Sequence, residues 1–295
     1  MNETTHISQT SLTRLTSQTT PATRYARVLS IAGSDSGGGA GIQADLKTFA
    51  ALGCYGMTAI TALTAQNTVG VQGIHPVPAA FLKAQLQSVI DDIGVDAVKI
   101  GMLHAPEIVD VVAWAIDHYQ LKNVVLDPVM VATSGDRLIA SDTVQVLVRE
   151  LFPRAALITP NLDEAALLLQ QPIADADGLD AATEALLAMG AQAVLLKGGH
   201  LPGDALVDVL LQLGQPMLRL TSTRIPSRNV HGTGCTLSSA IAAHLALGLG
   251  LVDAVQAARH FIRAAISEGA AVQTGQGHGP LNHGHAPLPA HRVPL

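Results

Sequence analysis

Aromatic residues are scarce in this chain of 295, at 3%, and only two cysteines occur, Cys54 and Cys235. Two thiols cannot build a disulfide framework, which excludes a small stapled scaffold and fits a reducing compartment. Charge is sparse as well: 14% of residues are Asp, Glu, Lys or Arg, with a formal net charge of −6. Without a basic excess there is no counterion-releasing footprint, so no nucleic-acid partner is expected. A long uncharged stretch, Val230 to Val252, contains Ser238, Ser239, His244, Gly248 and Gly250. It reads as a buried helix and not as a bilayer span, so no membrane partner is expected either. No G-x-x-x-x-G-K-[ST] loop occurs anywhere; a nucleotide, if one binds, needs another anion site for its phosphates.

What is abundant is apolar: 48% hydrophobic residues, with a mean hydropathy of +0.34. That is material for a large core of closely packed helices on a sheet. Short apolar runs alternate with helical patterns. Arg27–Gly33, Thr58–Ala65, Ala97–Leu103, Val124–Val131, Ala156–Thr159 and Val194–Lys197 read as strands. Ile42–Leu52, Pro78–Ile93, Glu107–Tyr119, Asp142–Leu151, Asp163–Gln170 and Leu179–Met189 read as helices. Strands apolar throughout belong to a parallel sheet covered by helices on both faces, so the fold class is α/β, doubly wound, in one domain over residues 27–285. Residues 1–26 are expected to be a flexible or disordered extension: the first 24 hold eleven Ser/Thr and a single acid, Glu3, with no apolar h-region. Residues 286–295 are expected to be a flexible tail. His278, His283, His285 and His291 sit among Gly and Pro near that end; such tracts can bind metal, and a frayed end explains them as well.

In this architecture ligands bind beyond the carboxyl ends of the strands. The polar residues expected there are Asp35, Gln66 and Asn67, then Asp127 and Asp136, Asn161 and Glu164, and Lys197, with Met102 beside them. Two glycine-containing turns stand out. Gly39-x-Gly41-x-x-Ala44 formally matches the loose dinucleotide fingerprint, yet no Asp or Glu lies between Asp45 and Asp91 to hold a ribose. The second turn is His231-Gly232-Thr233-Gly234-Cys235, opening a helix. A helix start with bare N–H groups suits a phosphate or a developing oxyanion, and its field favours a thiolate at Cys235. The plainer reading makes Thr233 a cap and Cys235 a packed small hydrophobe. A cysteine-hydrolase pairing of Cys235 with His231 lacks an orienting third group.

Seven segments in order carry a resemblance: Gly33–Thr48, Ala65-Gln66-Asn67-Thr68, Lys99-Ile100-Gly101-Met102, Asp127-Pro128-Val129-Met130, Thr159-Pro160-Asn161-Leu162-Asp163-Glu164, Lys197-Gly198-Gly199-His200 and His231–Cys235. Together they resemble the hydroxymethylpyrimidine/phosphomethylpyrimidine kinases of thiamine biosynthesis, in the ribokinase superfamily, from about Arg27 to about His285. The resemblance implies a ribokinase-like fold and ATP-dependent phosphorylation of 4-amino-5-hydroxymethyl-2-methylpyrimidine and then of its monophosphate. It implies Gly232, Thr233 and Gly234 as the anion hole, with Cys235 as the base where sugar kinases of the superfamily carry an aspartate. Lys197, Asp127 and Thr233 would meet ATP phosphates, while Asn161 and Glu164 would organise Mg²⁺, partly through water. Gly33, Asp45, Gln66, Met102 and Val129 would meet the pyrimidine. A cytoplasmic homodimer is expected, with Ala132–Arg137 as a lid loop. Two rivals stay open: a pyridoxal-type kinase of the same superfamily, and a non-catalytic binding protein on the same fold.

Overall fold

In the computed structural model, which describes residues 22–130, 139–173, 175, 178–199, 201 and 203–294, one nine-stranded sheet organises the chain. After a short β1 (Thr23–Tyr25), the first sheet strand is β2 (Arg27–Asp35), which runs through a glycine turn into α1 (Gly41–Ala51). A hairpin of β3 (Tyr55–Gln66) and β4 (Val71–Pro76) leads to α2 (Ala79–Asp92). Then come β5 (Ala97–Ile100), α3 (Pro106–Tyr119), β6 (Val124–Leu126), α4 (Ser141–Leu151), β7 (Leu157–Ile158), α5 (Leu162–Leu169), α6 (Gly178–Ala188) and β8 (Ala193–Leu196). A second hairpin, β9 (Ala205–Gln212) with β10 (Leu218–Thr223), precedes α7 (Thr233–Ala246) and α8 (Leu251–Gly269). A terminal β11 (Arg292–Pro294) closes the chain.

The sheet order is β10-β9-β8-β7-β6-β5-β2-β3-β4. The six strands from β8 to β3 are parallel, and their carboxyl ends therefore share one edge. Period-two alternation divides each strand between two cores. Leu29, Ile31, Val98 and Ile100 face the layer of α2 to α6, whereas Val28, Ala97, Val125 and Leu157 face α1, α7 and α8. Burial on both faces is what makes these strands read as continuous apolar runs. The expected α/β class with helices on both faces is the observed one.

Three strands escape the apolar-run pattern. The antiparallel β4 and β10 are the two edge strands, and β9 lies antiparallel between β10 and β8, buried only at Val209 and Leu210. Their sequences VQGIHP, ALVDVLLQ and LRLTST accordingly mix polar and apolar residues. Two expected strands are shorter than their apolar runs. The strand expected over Val124–Val131 stops at Leu126 because Pro128 has no N–H to give a ladder, and Ala97–Leu103 ends at Ile100. The segment expected to be a free tail from residue 286 is tied down. Leu288 and His291 N–H donate to the carbonyls of Ala51 and Gly53 at 2.8 Å, and β11 pairs with β1. The expected lid, 132–137, lies outside the described residues, as do Asp136 and His200. No helix among the described residues is long and apolar enough to cross a membrane.

Candidate active site

The carboxyl ends of the parallel strands gather most of the expected residues on one edge. In sheet order they are Lys197 after β8, Asn161 after β7, Asp127 and Val129 after β6, Met102 after β5, Asp35 ending β2 and Gln66 ending β3. Gly33 sits at a register shift in β2 between Ala32 and Ser34, and a side chain there would collide with the Met102 methyl. The α7 start crosses this edge from the opposite layer.

That start is bare. Gly232, not Thr233, occupies the cap position, with φ +84° and no side chain capping the helix. Thr233 N–H is taken by the Val230 carbonyl and Thr236 N–H by that of Gly232. The first-turn N–H groups of Gly234 and Cys235 have no acceptor within the helix, as helix geometry dictates. Glycine is required at 232 twice over: by its positive φ, and because a Cβ would run into the Gly39 carbonyl. At Gly234 a Cβ would lie 3.3 Å from Lys197 Nζ and 3.4 Å from Asp127 Oδ2, so the helix start faces that ion pair.

Asp127 is fully buried; its Oδ1 accepts from Thr159 Oγ1 at 2.9 Å and from Lys197 Nζ at 3.0 Å. Burial alone would weaken the Lys197 ammonium, but Asp127 and Glu164 outweigh it and hold its pKa above the ordinary lysine value. Asn161 and Glu164 form a complete capping box at the start of α5: Glu164 N–H donates to Asn161 Oδ1 at 2.9 Å, and Asn161 N–H donates to Glu164 Oε2 at 2.8 Å. Burial, with Asp127 nearby, pushes Glu164 up to about 7 against the pull of Lys197. Two carboxylates thus share one ammonium, an arrangement that favours further positive charge.

Two expectations are corrected here. Asp45 does not offer an open acceptor to a ligand. It has no exposed surface, and its two oxygens accept from Ser30, from Ser239 and twice from Lys99 at 2.6–2.9 Å. Its acceptor capacity is filled inside the protein. Ser30 and Lys99 alternate onto the α1/α7 face of β2 and β5, which is why they meet an acid on α1 and a serine on α7. Cys235, expected to be a ready thiolate, is not one in this state. Burial pushes its thiol up to about 11, although Lys99 and a hydrogen bond from the Gly41 N–H act in the opposite direction. The nearby carboxylates of Asp45 and Asp127 add to the effect of burial.

Sequence reasoning left Lys99, Ser30 and the partner of His231 unassigned. A lysine inside the apolar run AVKIGML was the available sign, since a buried ammonium needs a paired acid. His231 is buried, with Nε2 2.9 Å from Asp35 Oδ2. The same carboxylate accepts from Gly37 N–H at 2.8 Å, Gly39 N–H at 3.0 Å and Ala40 N–H at 2.8 Å. Burial would raise this acid, but the hydrogen bonds from His231 and the loop outweigh it and hold Asp35 below the ordinary carboxylate range.

At the carboxyl edge of a doubly wound sheet, a bare helix start facing a lysine–carboxylate pair suits a phosphoryl group, as in a phosphotransferase of the ribokinase-like class. The chain matches the phosphomethylpyrimidine kinase family over residues 35–282 and belongs to it. A hydroxymethylpyrimidine/phosphomethylpyrimidine kinase of Rhizobium meliloti is 52% identical over 258 residues, covering 87% of this chain and 96% of that one. Among solved structures, a Bacillus subtilis pyridoxal kinase in an ADP complex aligns with a TM-score of 0.81 at 42% identity, covering 88% of this chain and 98% of its own. A Clostridium difficile phosphomethylpyrimidine kinase aligns at 0.72 and 42% identity, covering 81% and 99%.

Proposed function

We propose that this kinase transfers phosphate from ATP to 4-amino-5-hydroxymethyl-2-methylpyrimidine and then to the resulting monophosphate, giving the diphosphate used in thiamine diphosphate biosynthesis. The observation that carries the reading is the uncapped start of α7 facing Lys197 and Asp127. Phosphoryl transfer needs positioning and charge stabilisation more than covalent chemistry. In this reading the unpaired N–H groups of Gly234 and Cys235 receive the transferred group, while Thr233, whose N–H is held by the Val230 carbonyl, and Gly232 shape the turn, and Lys197 swings part of its charge from Asp127 to a nucleotide phosphate. Gly33, Gln66, Met102 and Val129 line the pyrimidine; Asp45 holds the floor beneath it through Lys99.

Magnesium fits the oxygens of Asp127 and Glu164, two hard donors sharing one ammonium. No group of three or more ligating side chains occurs among the described residues, so the ion would be held by one or two carboxylates, water and nucleotide phosphates. Bound there, Mg²⁺ would neutralise charge on the phosphates. Asn161, expected as a partner of that ion, has its side chain engaged as the α5 cap and acts by fixing Glu164.

Cys235 accepts the hydroxymethyl proton in the first step. The second step attacks with an anionic phosphate oxygen and has no such proton to lose, so its dependence on Cys235 is weaker. The same reading takes the enzyme as a cytoplasmic homodimer, which light scattering on the purified protein tests. Mass spectrometry of products from ATP and the pyrimidine alcohol tests the reaction: the mono- and diphosphate are both expected, and the monophosphate alone refutes the second activity. Because a pyridoxal kinase aligns at 0.81, pyridoxal phosphorylation is the competing reading; a higher kcat/KM on pyridoxal than on the pyrimidine would establish it.

A further inference from the structure

We infer that His231, held by Asp35, is a positioning residue that sets which way the Gln66 amide faces and thereby makes the site prefer an amino-bearing ring; this rests on the reading of Gln66 as a pyrimidine contact. Asp35 is ionised and can only accept, so the nitrogen 2.9 Å from its Oδ2, His231 Nε2, carries a hydrogen. Nε2 of Gln66 lies 3.5 Å from that same His231 nitrogen, which would set two donors against each other. On its other side, Oε1 of Gln66 lies 3.0 Å from Thr64 Oγ1, which is also 3.0 Å from the Ser34 carbonyl. The single hydroxyl hydrogen of Thr64 cannot serve both acceptors.

One half-turn of the amide resolves both conflicts, since its oxygen and nitrogen differ only by what surrounds them. Thr64 then donates to the Ser34 carbonyl and accepts from the Gln66 amide nitrogen. The amide oxygen then lies toward His231 Nε2, whose one hydrogen is shared between Asp35 Oδ2, the nearer acceptor, and that oxygen as a three-centre bond. The backbone leaves little freedom for another solution: Ser36 Oγ donates to the Gln66 carbonyl and accepts from the Gln66 N–H, both at 2.9 Å. The His231 ring is itself confined, because it packs on Gly39 where a Cβ would strike it, and the backbone N–H of His231 donates to the Gly279 carbonyl at 3.1 Å.

An amide fixed this way offers an acceptor oxygen beside His231 and one spare N–H. That pair complements an exocyclic amino group next to a ring nitrogen. A ring that carries an ionised hydroxyl at the same place would set an oxyanion against the amide oxygen. The discrimination thus comes from a carboxylate two contacts away from the ligand.

Steady-state kinetics of the full chain with His231→Leu, His231→Gln, Gln66→Ala and the Leu/Ala double variant test this. Leucine removes the donor; glutamine returns an N–H near the position of Nε2. His231→Leu is expected to raise KM for the pyrimidine about tenfold, with kcat and KM for ATP within about threefold, and to lower the preference for the pyrimidine over pyridoxal by a similar factor. His231→Gln is expected to recover most of both, and the leucine effect is expected to shrink below about twofold in the Gln66→Ala background. Should the leucine variant fail to fold, His231→Asn, whose amide is too short to reach Asp35, replaces it. The inference is overturned if Gln66→Ala raises KM while His231→Leu does not. It is equally overturned if the two effects simply multiply, or if glutamine rescues nothing. If Gln66→Ala itself leaves KM unmoved, the reading of Gln66 as a contact falls, and the inference with it.

Discussion

Two glycine turns meet in this molecule, and they use their N–H groups in opposite ways. Between β2 and α1, the N–H groups of Gly37, Gly39 and Ala40 all point at the carboxylate of Asp35. The protein has put its own anion where a phosphate would sit, so the turn is closed and serves as scaffold. At the start of α7 no side chain caps the helix, and the turn is open to a guest. A glycine pattern by itself does not distinguish these cases; the presence or absence of an internal acceptor does. This is also why the dinucleotide fingerprint at Gly39–Ala44 is empty of meaning here.

The largest effect is expected from Gly232→Ala in the open turn. A methyl group would meet the Gly39 carbonyl in a backbone region alanine avoids. A loss of about a thousandfold in kcat/KM for both phosphorylations is expected, with about 3 kcal/mol off the unfolding free energy. A variant active on either substrate would show that the open turn is not the phosphate site.

Cys235→Ala is expected to slow the first phosphorylation about a hundredfold and the second less than about threefold. Because the thiol lies at about 11, the wild-type first step should climb with pH through the alkaline range, up to that value, in proportion to the thiolate. The alanine variant should not climb. Single-turnover rates of each step across pH measure this, and equal losses in both steps would remove the base role.

Asp35→Asn loosens the closed turn. A loss of about 2 kcal/mol in urea unfolding near neutral pH is expected, since one amide cannot accept from every donor that the carboxylate serves. The pH dependence has a definite sign. A carboxyl held below its ordinary range stabilises the fold above its unfolded pKa, and that contribution is lost as pH falls through the lower folded value. The gap between wild type and Asp35→Asn should therefore narrow on acidification, which urea melts from pH 7 down to pH 3 would reveal.

Ser36→Ala is the mildest. It removes the hydroxyl that holds Gln66 at the end of β3, and about 1 kcal/mol of stability with a twofold rise in KM for the pyrimidine is expected. Calorimetry and initial rates suffice to check it. A rise in KM for ATP alone would assign this turn to the nucleotide side.

The parallel strands, and the polar residues that follow them at one edge of the sheet, were legible because their causes are local. A strand buried on both faces shows as an apolar run, and a polar residue just after it marks the ligand edge. Asn161-x-x-Glu164, expected as the magnesium pair, forms the capping box of α5, a cap pattern that is equally local in the sequence. Less legible was whatever depends on partners distant in sequence. Asp45 looked like an open acceptor because nothing in its neighbourhood announces Lys99, Ser30 and Ser239, which come from two strands and a helix. The raised thiol of Cys235 was missed for a related reason: the helix field is visible in sequence, whereas the depth of burial that opposes it is not. The edge strands β4 and β10 were hidden by exposure, which erases the apolar pattern that revealed the others.

The ribbon of β1 and β11 sets Thr23 opposite Pro294 and Tyr25 opposite Arg292. Both ends of the folded body therefore emerge side by side, so the order in which the chain is synthesised is not dictated by its shape. Residues 22 and 294 could be linked by a few glycines and new ends opened at the Leu213–Gln215 turn between β9 and β10, where Leu213 and Gly214 are exposed. Such a circular permutant should keep the whole catalytic edge, and the same closeness would let the enzyme be inserted as a module into the loop of another protein.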